Sequence, residues 1–126
     1  MEKKKPKYPK SYEECCKVMP CDPRLEINTC YHGNELSHLY RLLICRDAYW
    51  KIAGEEMGLG KPWKPDYDSG VDKFGIICYD GVAQKSGAVQ NWERHLNKVL
   101  DFPTAEMRDA FYENFRELIE YCKELL

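Results

Sequence analysis

A cluster of residues that cannot continue a helix lies at the middle of the chain and most constrains its fold. Two glycines and two prolines occur between positions 58 and 65. Glycine ends helices in the left-handed backbone region, and proline keeps the residue before it out of the helical region. The strip 61–67 is therefore expected to be extended, and to fold against the body through Trp63 and Tyr67.

The segment before this cluster has the spacing of a long amphipathic helix. We expect it to run from position 35 to about 57 and to have its apolar side chains on one face. These residues are Leu36, Leu39, Tyr40, Leu43, Trp50, Ala53 and Met57. Upstream, Ser11 and Glu14 have the spacing of a capping box, which predicts a short helix over 12–18.

The C-terminal segment predicts a second long helix. Thr104 is suited to cap it, and Glu106 lies favourably in its first turn. Its expected core face consists of Met107, Ala110, Phe111, Phe115, Leu118, Cys122 and Leu125.

The segment between the long helices favours a small sheet. Residues 73–80 have strand propensity and end in an Asp-Gly turn signal. A second strand is expected within 87–93 and a third over 97–102, joined by a turn at 95–97, which would complete an antiparallel meander. We therefore predict an α+β fold, in which two long helices and a short N-terminal helix pack on a three-stranded antiparallel sheet.

Length and charge limit the domain organisation and the partners. The 126 residues suffice for one apolar core, so we expect a single domain over 11–126, preceded by a flexible tail over 1–10 that carries five lysines. The net charge of −2 argues against binding duplex nucleic acid through a broad cationic surface. The absence of a long apolar run and of a signal segment predicts a cytoplasmic protein without membrane contact.

The cysteines are expected to be reduced thiols. There are seven, an odd number, and none forms a Cys-x-x-Cys pair. No cofactor is expected, although a zinc site is one alternative. Its candidate ligands are Cys21, Cys30, His32 and His38.

Familiar catalytic motifs are missing from the chain. It has no glycine-rich dinucleotide loop, no Walker loop and no Gly-x-Ser-x-Gly elbow. None of the three histidines has a partner nearby in sequence that would make it a base. We therefore expect a protein that is not an enzyme.

Two charged residues fall within the apolar faces of the long helices, Asp47 in the first and Arg108 in the last. A buried charge costs several kcal/mol unless it is paired. One interpretation is that Asp47 and Arg108 pair with each other across the contact between the helices, or extend their charged ends to solvent at its rim. The other is that Arg108 and the N–H groups of the helix that begins at Thr104 form an anion pocket, assisted by Arg46.

Aromatic residues outside the long helices are candidates for stacking on a ligand. They have lysines and arginines nearby in sequence, a combination used to recognise nucleotides and single strands, although protein interfaces show the same enrichment. The predicted ligand-binding residues are Arg108, Thr104, Arg46, Trp63, Tyr67 and Trp92.

Four segments together resemble small phage and prophage proteins of gut anaerobes. They are the Ser-Tyr-Glu-Glu helix that begins at Ser11, the Trp-Lys-Pro-Asp-Tyr strip at 63–67, the strand from Lys73, and the Phe-Pro-Thr entry to the terminal helix at 102–109. The resemblance covers most of the chain beyond the tail, but residues 20–34 have no counterpart in the pattern. It implies a phage accessory protein, with counter-defence as a frequent role of such proteins.

Several functional hypotheses follow from these observations. The first is a non-enzymatic, homo-oligomeric protein of the host cytosol that sequesters an anionic small molecule, such as a nucleotide immune signal. The second is a module that inhibits a host defence protein or assembles in the virion, marked by an exposed apolar patch at Ile44, Ala48 and Ile52. The third is a binder of single-stranded nucleic acid that uses the tail 1–10.

Overall fold

The structure is a computed structural model. It describes residues 8–24, 33–65, 73–79, 81–89 and 100–123. Within these ranges the elements are, in chain order, α1 (Tyr12–Val18), α2 (Gly33–Glu56), β1 (Lys73–Tyr79), β2 (Val82–Val89), β3 (Asp101–Phe102), α3 (Ala105–Asn114) and α4 (Arg116–Cys122). The α+β class predicted from the sequence is confirmed.

The short first helix begins with the predicted cap. The Ser11 hydroxyl accepts a hydrogen bond from the Glu14 N–H at 3.2 Å, and the Glu14 carboxylate in turn accepts one from the Lys10 N–H. This reciprocal pattern satisfies two backbone donors at the helix start. The α1 residues Tyr12, Cys15 and Cys16 are buried, and α1 packs on α2.

The glycine and proline cluster turns the chain back along α2. The backbone of Gly58 and Gly60 is left-handed, with φ of 68° and 70°, which favours glycine. The Trp63 N–H then donates to the Trp50 carbonyl at 2.9 Å, and the Trp63 ring packs against that of Trp50. Trp63 therefore folds against the body as expected, whereas Tyr67 lies outside the described residues.

The sheet differs from the predicted meander. Its strand order is β2-β1-β3, and both pairings are antiparallel. The second strand starts at Val82, not within 87–93, because a tight turn containing Gly81, whose φ is 76°, lets β2 pair with β1 at once. The third strand returns to β1, where Phe74 lies opposite Phe102. The expected turn at 95–97 lies outside the described residues.

The predicted C-terminal helix is divided at Phe115. This residue ends α3 and precedes α4, with φ −124° and ψ 25°, which is not helical. Its ring is buried, with its centroid 4.8 Å from that of Phe111 and 5.8 Å from that of Tyr49. Four residues of the predicted core face, Met107, Phe111, Phe115 and Cys122, are buried. Beyond the break, Ile119 is buried in place of the predicted Leu118, which is half-buried.

An aromatic core surrounds Tyr49 of α2. Its ring contacts those of Tyr8, Phe102, Phe111 and Phe115. Its hydroxyl donates to the Pro9 carbonyl at 2.7 Å and accepts from the Asn114 amide at 3.0 Å. Residues 8–10, which the sequence assigned to the tail, thus lie against the folded body.

None of the helices in the described ranges combines the length and the apolar character that a bilayer span needs.

Candidate functional site

Arg46 of α2 is held in a defined orientation by two neighbours. Its Nε and Nη2 both donate to the Asp47 carboxylate, at 3.0 and 2.8 Å. Its guanidinium also lies 4.2 Å from the centre of the Trp50 ring, one helical turn further along. An arginine at four residues' spacing from a tryptophan gains a cation–π contact on the helix surface.

A cleft opens beside this group, with a volume of about 470 Å³. One wall is α2, and the other is the extended strip that follows the glycine and proline cluster. We call it the Arg46 cleft, and its lining residues are Met19, Arg46, Asp47, Trp50, Pro62, Lys64 and Pro65. It combines two cations and one carboxylate with an apolar lining of prolines, a thioether and an indole.

Trp50 anchors the cleft to the rest of the fold. Its indole N–H donates to the Asp101 carbonyl of β3 at 2.7 Å, and its ring meets that of Trp63 edge to face at 5.6 Å. Since Trp50 and Trp63 are both more than nine-tenths buried, they support the cleft from within. Trp63 is therefore placed to position the strip more than to stack on a ligand.

The strip also depends on a close backbone approach at Gly54. A Cβ atom built on Gly54 would lie 2.0 Å from the Lys61 carbonyl oxygen. Only glycine allows α2 and the strip to come this close, so the cleft requires glycine at position 54. Nothing in the periodicity of α2 revealed this requirement.

Arg108 and Thr104 belong to a different set of contacts on α3. The Thr104 hydroxyl caps α3 by accepting from the Met107 N–H at 3.1 Å. The Arg108 side chain is 13% exposed, and its Nε donates to the Asp109 carboxylate at 3.1 Å. Its guanidinium lies 5.7 Å from the centre of the Phe74 ring. This arginine has internal partners.

Asp109 joins α3 to the sheet through a second cation. The Lys85 amine of β2 lies 3.1 Å from the same carboxylate oxygen. Partial burial raises the pKa of Asp109, but the hydrogen bonds from Lys85 and Arg108 outweigh it and hold that pKa below its ordinary value. The interpretation in which Asp47 pairs with Arg108 is wrong, because Asp47 binds Arg46 and Arg108 binds Asp109, in each case the residue next to it in the chain.

The structure thus brings together only some of the predicted ligand residues. Arg46 lines the cleft and Trp63 supports it, whereas Thr104 and Arg108 lie in the α3 network. Tyr67 and Trp92 lie outside the described residues, so their participation stays a prediction.

Arg46 is the one described lining residue of the cleft that the sequence predicted as a ligand contact, and Trp50 and Lys64 are two of those that it did not. Trp50 was assigned to the core face, although its spacing of four residues from Arg46 indicates a cation–π pair. The sequence identifies Lys64 only as one of the cations near the aromatic residues. Its place opposite Arg46 depends on the path of the strip.

The metal candidates are only partly described. The Cys21 thiol lies 3.3 Å from the Met19 carbonyl, and the His38 ring stacks on that of Tyr121 at 4.3 Å. Cys30 and His32 lie outside the described residues. Among the residues that the structure does describe, no three His, Cys, Asp or Glu side chains are grouped to hold a metal ion.

The apolar patch expected on the first long helix is not exposed as a unit. Ala48 is fully buried, and Ile44 and Ile52 are half-buried. Exposed apolar side chains lie instead beyond the end of this helix, where Met57 is 53% and Leu59 is 42% exposed.

Comparison of the chain with protein-family models, with curated proteins and with solved structures yields no match in any of the three.

Proposed function

We propose that the Arg46 cleft binds an anionic small molecule with a planar ring, and that a nucleotide is the ligand class. The observation that carries the proposal is the pairing of an oriented arginine with a lysine across a cleft whose other described lining residues, apart from Asp47, are apolar. Its volume of about 470 Å³ falls within the range of roughly 300–1,000 Å³ that is typical of small-molecule sites.

Preorganisation favours Arg46 as the anion contact. Its side chain is 20% exposed, and Asp47 and Trp50 already restrict its rotamers. An anion that joins these contacts therefore costs little additional side-chain entropy. Lys64 is exposed on the opposite wall and adds a second positive charge to the cleft.

The rest of the lining suits a nucleobase. Met19, Pro62 and Pro65 offer apolar contact to a flat ring, and the guanidinium plane of Arg46 offers a surface for stacking. A ring held on these groups would place one phosphate between Arg46 and Lys64.

The proposed role is sequestration without chemical conversion. The resemblance to small phage proteins favours counter-defence in the host cytosol, with a nucleotide immune signal as the captured molecule. Self-association is part of this hypothesis, because a symmetric interface would enclose the ligand further.

Calorimetry of the pure protein against nucleoside monophosphates and cyclic dinucleotides tests the proposal. Lys64→Gln is the diagnostic variant, and Lys61→Gln is its matched control. Both lysines are exposed in the same strip, but Lys61 lines a different cavity. Loss of one charge-assisted contact is expected to weaken binding by about tenfold, or about 1.4 kcal/mol.

The wild type should release heat with at least one member of the panel, and Lys61→Gln should bind as the wild type does. No heat with any member would overturn the proposal. An equal loss in both lysine variants would also overturn it, because it would indicate general electrostatics and no defined cleft.

A protein partner is the second candidate function. Met57 and Leu59 are exposed and lie two residues apart beyond α2, in the region of Gly58 and Gly60. A double variant, Met57→Ser with Leu59→Ser, should abolish capture of a host defence protein and leave nucleotide binding intact. Retained capture by that variant would exclude this surface.

A further inference from the structure

A second cavity of about 470 Å³ lies between the start of α1, the first half of α2, and the junction of α3 and α4. Among the described residues, none lines both this cavity and the Arg46 cleft. We call it the Tyr12 cleft, and its lining residues are Lys10, Ser11, Tyr12, His38, Arg41, Asn114, Phe115, Glu117, Leu118 and Tyr121.

From this cavity we propose a second ligand site for a small amphipathic carboxylate, meaning a single carboxylate on an aromatic or aliphatic body. The inference does not depend on nucleotide binding at the Arg46 cleft. The lining divides into a cationic part and an apolar part, and it includes a buried hydroxyl that has no oxygen or nitrogen partner among the described residues.

The cationic part is formed by Arg41 of α2 and Lys10. The Arg41 guanidinium lies 5.3 Å from the centre of the Tyr12 ring, so one partner of this cation is an aromatic face. A guanidinium is planar and matches the two oxygens of a carboxylate. Lys10 is exposed and supplies a second positive charge at the same cleft.

The apolar part comes from the junction of α3 and α4. The Phe115 ring and the Leu118 side chain line it, and Tyr121 adds a ring that is 57% exposed. Tyr121 stacks nearly parallel on His38, with ring centres 4.3 Å apart and an angle of 10° between the planes. This stack joins α4 to α2 and presents a flat aromatic wall to the hydrophobic body of a ligand.

The buried hydroxyl belongs to Tyr12, which is 7% exposed. Among the described residues it lacks an oxygen or nitrogen partner, and the Cys16 thiol that it meets is a weak acceptor. Burial, followed by this contact with the Cys16 thiol, raises the pKa of Tyr12. A carboxylate oxygen that reached the hydroxyl would give this buried polar group a strong acceptor.

Among the described lining residues, Glu117 is the one carboxylate, and it opposes ligands of high negative charge. The negative charge of Glu117 favours a singly charged carboxylate over a phosphate monoester.

The test compares acids with amides of the same skeleton, namely phenylbutyrate with phenylbutyramide and octanoate with octanamide. Thermal shift and calorimetry on the full chain are the measurements. The acids should bind at least about tenfold more tightly than the amides, since loss of a charge-assisted contact costs about 1.5–3 kcal/mol.

Arg41→Gln should reduce acid binding by at least about tenfold, as expected for one lost charge-assisted contact. Arg116→Gln is the matched control. Arg116 lies 5.2 Å from the Tyr112 ring, so it makes the same kind of contact outside the cleft. If Arg41→Gln does not fold, the exposed Tyr121→Ser variant takes its place and should weaken both acids.

Acid binding that survives Lys64→Gln unchanged would support two separate sites. Equal affinity for acids and amides, equal loss in Arg41→Gln and Arg116→Gln, or no binding by any member of the series would each overturn the proposal. Tighter binding of an alkyl phosphate than of octanoate would also overturn the choice of a carboxylate as the ligand.

Discussion

Replacing Tyr49 by phenylalanine removes one oxygen atom from the centre of the molecule. That hydroxyl links three parts of the chain, because it donates to the Pro9 carbonyl at 2.7 Å and accepts from the Asn114 amide at 3.0 Å. Tyr49 is fully buried. The phenylalanine ring retains the aromatic contacts, so the variant isolates the two hydrogen bonds.

The expected loss follows from these two contacts. Each buried hydrogen bond contributes a net of about 1 kcal/mol, and a partner left unsatisfied adds roughly 1 kcal/mol or more. The Pro9 carbonyl loses this donor and the half-buried Asn114 amide loses this acceptor. We therefore expect Tyr49→Phe to lower the free energy of unfolding by about 2–3 kcal/mol.

Urea unfolding monitored by circular dichroism measures this loss, provided that the slope of the unfolding free energy against urea concentration is unchanged. Tyr121→Phe is the matched control, because Tyr121 is 57% exposed and should lose less than about 0.5 kcal/mol. A Tyr49→Phe variant within about 0.5 kcal/mol of the wild type would refute the reasoning and would mean that the two hydrogen bonds of this hydroxyl do not contribute to stability.

Three further predictions concern titration, thiol reactivity and the backbone. Burial, followed by two nearby glutamates, raises the pKa of Tyr8 from 10.0 to about 12. Folding therefore favours the neutral phenol, so its contribution to stability is complete below about pH 10 and is lost as the pH rises towards 12. The free energy of unfolding measured in urea should decline between pH 9 and pH 11, and Tyr8→Phe should reduce this decline. An equal decline in the variant would contradict the assignment. A hydrogen bond with a neighbouring buried thiol, together with burial, raises the pKa of Cys45. Cys45 should therefore resist a thiol reagent at pH 8 while the partly exposed Cys21 reacts, as mass spectrometry of labelled peptides would show, and rapid labelling of Cys45 in the native protein would count against its burial. Gly54→Ala should lower the free energy of unfolding by more than about 2 kcal/mol and weaken ligand binding in the Arg46 cleft, because its Cβ would meet the Lys61 carbonyl oxygen. Gly58→Ala, with open space around its Cβ but a left-handed backbone, should cost about 1 kcal/mol, and equal losses in the two variants would argue against the close approach.

Local signals predicted most of the helical architecture. The capping residues Ser11 and Thr104 mark helix starts because their hydroxyls accept from backbone N–H groups three residues away. Apolar periodicity and the cluster at 58–65 placed α2 close to its observed bounds, Gly33–Glu56. Each of these effects acts within a few residues, so it is visible in the sequence alone.

The tertiary structure decided what depends on distant partners. The return of β3 to β1, the interruption of the last helix at Phe115, and the place of Lys64 opposite Arg46 each require segments that are far apart in the chain to pack together. Arg108 shows the same limit. Helical periodicity indicated correctly that it is largely buried, but its contact with Phe74 of β1 and the link from Asp109 to Lys85 of β2 were set by how α3 lies on the sheet. A sequence pattern defines which face of an element is apolar, whereas the identity of the group that meets that face is determined by the packing of the whole core.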